Sequence, residues 1–99
     1  MTKSFPVKQL KKIIQRLKSL LLKDFDPEQR SFIKSQLQAL DENYTNNQIS
    51  FEEYKLNSVA LLCNFRDRSW VEQFLYRETG NFFTQQEKFL LVEKIPLSN

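Results

Sequence analysis

The sequence predicts an all-α domain, a compact bundle of about five helices, and three observations carry that prediction. Gly occurs once in 99 residues, too rarely for a β-sandwich, which draws on Gly-rich turns at short intervals. Apolar residues recur at three- and four-residue steps through most of the chain, the period of one helical face. Ser, Thr or Asp followed three residues later by Glu or Gln marks several helix starts. A chain of this length with 40% hydrophobic residues supplies one core, so residues 1–99 form a single domain.

The first helix is placed at 6–23, where Leu10, Ile13, Ile14, Leu17, Leu20 and Leu21 form one stripe. Asp26 then caps a second helix at 27–44, with Pro27 at its first position and Gln29 closing a capping box. Its stripe is Ile33, Leu37, Leu40 and Tyr44, broadened by Phe32 and Ala39. The amide-rich stretch from Thr45 to Gln48 is a turn, in which Asn takes the left-handed conformation that otherwise calls for Gly.

Ser50 with Glu53 opens a third helix at 51–66, stapled by Ile49 and Tyr54. Val59 to Cys63 is apolar around most of the circumference, so this helix is expected at the centre of the bundle. Ser69 with Glu72 starts a fourth helix at 70–79, which Gly80 ends, and Thr84 with Glu87 starts a fifth at 85–95 before Pro96. Connections this short predict antiparallel neighbours, the first two helices in one hairpin and the second and third in another.

Composition removes several chemistries. Without His, and with Cys63 alone, there is neither a zinc ligand set nor an internal disulfide. Cys63 lies on the apolar third helix and reads as an inert buried thiol. Adjacent carboxylates such as Asp41 and Glu42, or Glu52 and Glu53, project about 100° apart on a helix instead of converging on a bond. Phosphate loops and nucleophile elbows are absent, so the expectation is a noncatalytic protein with no cofactor and no small-molecule substrate. No apolar run approaches the length of a membrane span, and charges up to Lys23 interrupt any leader, which predicts a soluble cytoplasmic protein.

Charge is distributed unevenly. The formal net charge is +3, yet the seven basic residues up to Lys23 meet no acid, while the other eight share the rest of the chain with all twelve acids, for a net −4. On the first helix, Lys8, Lys12, Arg16 and Lys23 fan opposite the apolar stripe, with Lys11 and Lys18 on its flank. This face has three uses: a solvated surface, a phosphate-contacting surface for RNA or DNA, or a docking face for protein or, less readily, a membrane surface. Basic head and mildly acidic body either attract each other within the chain or allow copies of it to meet head to body.

A second group of candidate contacts is Arg66, Arg68 and Trp70, residue types enriched at binding hot spots and able to stack on bases. Trp70 equally suits a core position beside Phe74. Phe82 and Phe83 are adjacent, so one ring covers the core and the other is left for a partner. Ile49 to Tyr54 has the look of a calcium-loop exit, but Tyr44 falls at loop position three and Asn47 where Gly is needed; a capping box explains the same residues.

Gln36-Leu37-Gln38-Ala39-Leu40, the polar turn, Ile49-Ser50-Phe51-Glu52-Glu53-Tyr54, Leu56-Asn57-Ser58-Val59 and Leu61-Leu62 together resemble the helical hairpin of prokaryotic effector-associated domains, over about residues 8 to 67. Asn47 and Ser58 stand where that pattern has Gly and a basic residue. The resemblance implies an adaptor module of prokaryotic defence systems that pairs like with like. The function expected is therefore a protein-interaction adaptor that joins copies of itself or a larger effector through the basic first helix. The alternative is a small nucleic-acid-binding subunit using the same face.

Overall fold

Five helices follow one another in the computed structural model, which describes residues 4–21 and 25–94. They are α1 (Ser4–Leu21), α2 (Pro27–Thr45), α3 (Phe51–Cys63), α4 (Arg68–Arg77) and α5 (Gln85–Glu93). The extents are 42 × 31 × 20 Å, and the smallest of these equals two helix diameters, so the bundle is two helices thick.

Local sequence chemistry sets most of the helix starts. Asp26, Ser50 and Thr84 each accept a hydrogen bond from the backbone N–H three residues on, and their own backbone N–H groups donate to the side chains of Gln29, Glu53 and Glu87, completing three capping boxes. Asn47 has φ +62° and Gly80 φ +55°, so both expected left-handed positions are used. At the start of α4 the expectation is corrected. Asp67, not Ser69, is the cap, accepting from the Trp70 N–H at 2.7 Å, and Ser69 lies inside the helix.

The reason lies in how α3 ends. It stops at Cys63 instead of 66, and the Phe65 and Arg66 amides turn back onto the Leu62 and Cys63 carbonyls. That tight turn brings Asp67 into extended backbone, ready to cap. Helix α4 consequently runs two residues earlier than expected, ending at Arg77, and Thr79 donates to the Leu75 carbonyl beyond its end. Helix α5 stops at Glu93 instead of 95. Leu22, Lys23 and Pro96 lie outside the described residues.

Helix α3 is the hub, as its apolar circumference predicts: α1, α2 and α5 all pack on it, and α4 packs on α5. One core cluster joins Leu10, Leu17 and Leu21 of α1, Ile33 of α2, Val59 and Leu62 of α3, Val71 and Leu75 of α4, and Leu91 of α5. Full burial of each such aliphatic side chain contributes about 1.5–3 kcal/mol. The α2–α3 pair forms the intimate hairpin, whereas α1 and α2 are not closely packed and each leans on α3 instead. This corrects the expected first hairpin and opens a groove between those two helices. Two stripes are also narrower than their sequences imply, for Leu20 is 50% exposed and Phe32 53% exposed.

Candidate functional site

The basic residues of α1 fall into two rows. Lys8, Lys12 and Arg16 are four residues apart and lie along the outer, exposed side of the helix. Arg16 is the end of that row, and its Nε makes a 3.0 Å ion pair with Glu78 Oε1, just past α4. The attraction between basic head and acidic body is thus realised within one chain at this point, although Arg16 keeps 67% of its side chain in solvent. Among the described residues, Lys8, Lys11, Lys12 and Lys18 make no ion pair with an acid of the chain. Lys23 lies outside the described residues.

The second row, Lys11 and Lys18, borders the groove between α1 and α2. The groove is an open cleft of about 390 Å³ in which Ile14 and Gln15 continue the α1 wall, and Leu37, Gln38 and Asp41 form the α2 wall. Tyr54 and Ser58 of α3 floor it. Helical periodicity explains the placement: Ile14 sits at the edge of the buried stripe, and Lys11 and Lys18 follow it around the circumference. At the Lys18 end, the cleft adjoins a smaller recess of about 180 Å³ with Phe25 and Ile33 beneath Lys18, Arg30 and Lys34.

The far end is held by a polar lock. Tyr54 Oη donates to Asp41 Oδ1 at 2.9 Å, and its ring stacks on Tyr44 with centroids 4.8 Å apart. Burial, with the hydrogen bond and charge of Asp41 added, pushes the Tyr54 phenol well above its ordinary range. It therefore stays a neutral donor. Ser58 Oγ is buried without a hydrogen-bond partner among the described residues.

The remaining sequence candidates are not brought into this groove. Arg66 is half-buried with its guanidinium 5.0 Å from the Trp70 ring centre, and Trp70 stacks on Phe74 at 5.6 Å. Arg68 opens α4 and is half-buried beside Glu72 in a separate cleft. The division expected of the Phe pair holds in part: Phe83 is buried, but half-buried Phe82 meets it edge-on at 5.2 Å and covers an intramolecular charge.

That charge is one the sequence reading missed. Lys55 is buried on α3, with Nζ 3.0 Å from Glu87 Oε1 and 4.6 Å from the Phe82 ring centre. Its only sequence signal is a Lys amid the apolar positions of the central helix. Cys63 is buried, and loss of hydration pushes its thiol up to about 12, in keeping with an inert thiol.

Among the described residues, no helix is long and apolar enough to cross a membrane, and no group of three or more His, Cys, Asp or Glu is arranged to hold a metal ion. The chain matches no protein-family model, no curated protein and no solved structure.

Proposed function

We propose that this chain is a noncatalytic, cytoplasmic interaction module, an adaptor that joins a protein partner, or a second copy of itself, through the basic side of α1. The observation that carries this reading is the run of five cations from Lys8 to Lys18 with no acid on the helix. An acidic surface meeting them gains orientation and association rate from charge, and affinity from the apolar area beside it. The likeness of residues 8 to 67 to effector-associated domains belongs to the same proposal, which makes the module a component of a prokaryotic defence effector.

The geometry favours a protein partner over nucleic acid. Lys11 and Lys18 border Ile14 and Leu37, so charge and apolar surface lie side by side, as in protein interfaces. Trp70, the candidate base-stacking platform, is engaged by Phe74 and Arg66.

The test is binding of the purified chain to an acidic polypeptide (polyglutamate), a mixed-sequence RNA and a duplex DNA, each titrated with salt. Binding of the acidic polypeptide, lost in Lys8→Glu/Lys12→Glu with the helical circular-dichroism signal intact, supports the adaptor reading. Binding of RNA or DNA alone, with a steep and sequence-independent salt dependence, replaces it with the nucleic-acid reading.

A further inference from the structure

The groove between α1 and α2 is an open cleft in which cations stand beside apolar side chains, and we propose that it docks an acidic amphipathic α-helix of a protein partner. This rests on the adaptor reading above and goes further, to the kind of segment that is bound and its direction.

The walls decide the first part. Ile14 on one wall and Leu37 on the other are half-buried and face a common cleft, which suits the apolar ridge of a helix laid between them. The α2 wall of the cleft spans Leu37 to Asp41, and the adjoining recess continues along the same helix to Arg30, eleven residues in all or about 16 Å at 1.5 Å per residue, the length of three helical turns. Lys11 and Lys18 are seven residues apart, so their Cα atoms are separated by about 10.5 Å along α1. Acids seven residues apart on a partner helix repeat at the same distance. A phosphodiester strand matches less well, because it would engage the lysines but leave Ile14 and Leu37 without an apolar counterpart.

Charge decides the direction. Asp41 stands at one end of the groove, while Lys18 and Lys34 flank the recess at the other. A helix carries partial positive charge at its N-terminus and partial negative charge at its C-terminus. The partner helix therefore enters with its N-terminus at Asp41 and its C-terminus toward Lys34.

The test uses a fluorescein-labelled, lactam-stapled peptide of roughly four turns, with Leu on one ridge and Glu on both flanks. One control has the same composition with the ridge scrambled, and a second has Lys in place of Glu. The full chain is expected to bind the ridge peptide at low salt and neither control, by fluorescence anisotropy. Lys11→Glu/Lys18→Glu and, separately, Leu37→Gln are expected to weaken binding about tenfold or more while the helical signal is kept. A nitroxide at the peptide N-terminus is expected to broaden the amide resonances of Leu40 and Asp41 more than those of Ile33 and Lys34.

No binding of the ridge peptide, or equal binding of the scrambled peptide, overturns the groove. If polyglutamate still binds and Lys8→Glu/Lys12→Glu abolishes that binding, the adaptor reading survives its loss. If RNA or DNA binds and no acidic polypeptide does, the adaptor reading itself fails. Broadening at Ile33 and Lys34 instead overturns the direction.

Discussion

Lys55 Nζ and Glu87 Oε1 are 3.0 Å apart, with only 10% and 12% of their side chains exposed, and tie the central helix to the start of the last one. Glu87 also accepts from the Thr84 backbone N–H at 3.0 Å, so one carboxylate both closes the α5 cap and neutralises a covered ammonium. The Phe82 carbonyl, 3.4 Å from Nζ, and the Phe82 ring complete the enclosure. Glu87→Gln keeps the cap's geometry but strands the Lys55 charge, and is expected to cost about 3 kcal/mol. Lys55→Met removes the charge with its burial cost and is expected to lose less. Urea unfolding of both singles and the double variant measures the coupling; additive losses would show that the pair contributes nothing as a pair.

Asp67 and Ser69 make a second, cleaner comparison. Only the Asp67 side chain accepts a helix-end amide, from Trp70. Asp67→Ala is expected to lower stability by about 1 kcal/mol, whereas Ser69→Ala, inside α4, is expected to be neutral or slightly stabilising. Thermal melts distinguish the two. A larger loss from Ser69→Ala would restore the capping box that the sequence offers.

These residues also show what was legible in the sequence. Three helix starts were readable because each box is closed by residues three apart, a local relation that needs no tertiary knowledge. The choice of Asp67 over Ser69 depended on the turn after Cys63, because Ser69 with Glu72 satisfies the local box rule and Asp67, three residues before Trp70, does not. Lys55 was illegible for a different reason: its partners lie 27 and 32 residues away, and period alone does not say which cation is enclosed. The lysines of the candidate site were readable as helix faces. The groove they border was not, because it exists only where α1 and α2 both lean on α3 instead of on each other.

Ser58 has a hydroxyl that is buried with no hydrogen-bond partner among the described residues. Such a group loses its water without replacement, so Ser58→Ala is expected to stabilise the chain by about 1 kcal/mol, helped by the better helix propensity of Ala. A rise in the urea midpoint with unchanged slope is the readout. A fall would mean that the hydroxyl has a role in holding α3.

Gly80 tests backbone strain apart from packing. A Cβ at this position would meet nothing within 4 Å, yet φ is +55°. Gly80→Ala is therefore expected to destabilise by about 1 kcal/mol through conformation alone. Asn47, at φ +62°, gives the reciprocal case, and Asn47→Gly is expected to be neutral or stabilising. If Gly80→Ala leaves the melting temperature unchanged, the left-handed turn after α4 is not maintained in solution.

Alkaline pH should loosen the fold through Cys63. Burial raises its thiol from an ordinary value of 9.0 to about 12, so the folded chain holds this proton after the unfolded chain has released it. The sign follows directly: the contribution is complete below pH 9.0 and is lost as pH rises toward about 12. Its slope is at most about 1.4 kcal/mol per pH unit. Tyr54, also raised by burial and by its bond to Asp41, acts in the same direction at higher pH. Cys63→Ala is expected to cost about 1 kcal/mol near neutrality but to flatten the fall in stability above pH 9.0, measured by urea unfolding across that range. In the native chain a thiol reagent should label Cys63 only as fast as the core opens. Rapid labelling at neutral pH, or an unchanged pH slope in Cys63→Ala, would mean that water reaches the thiol in the folded state.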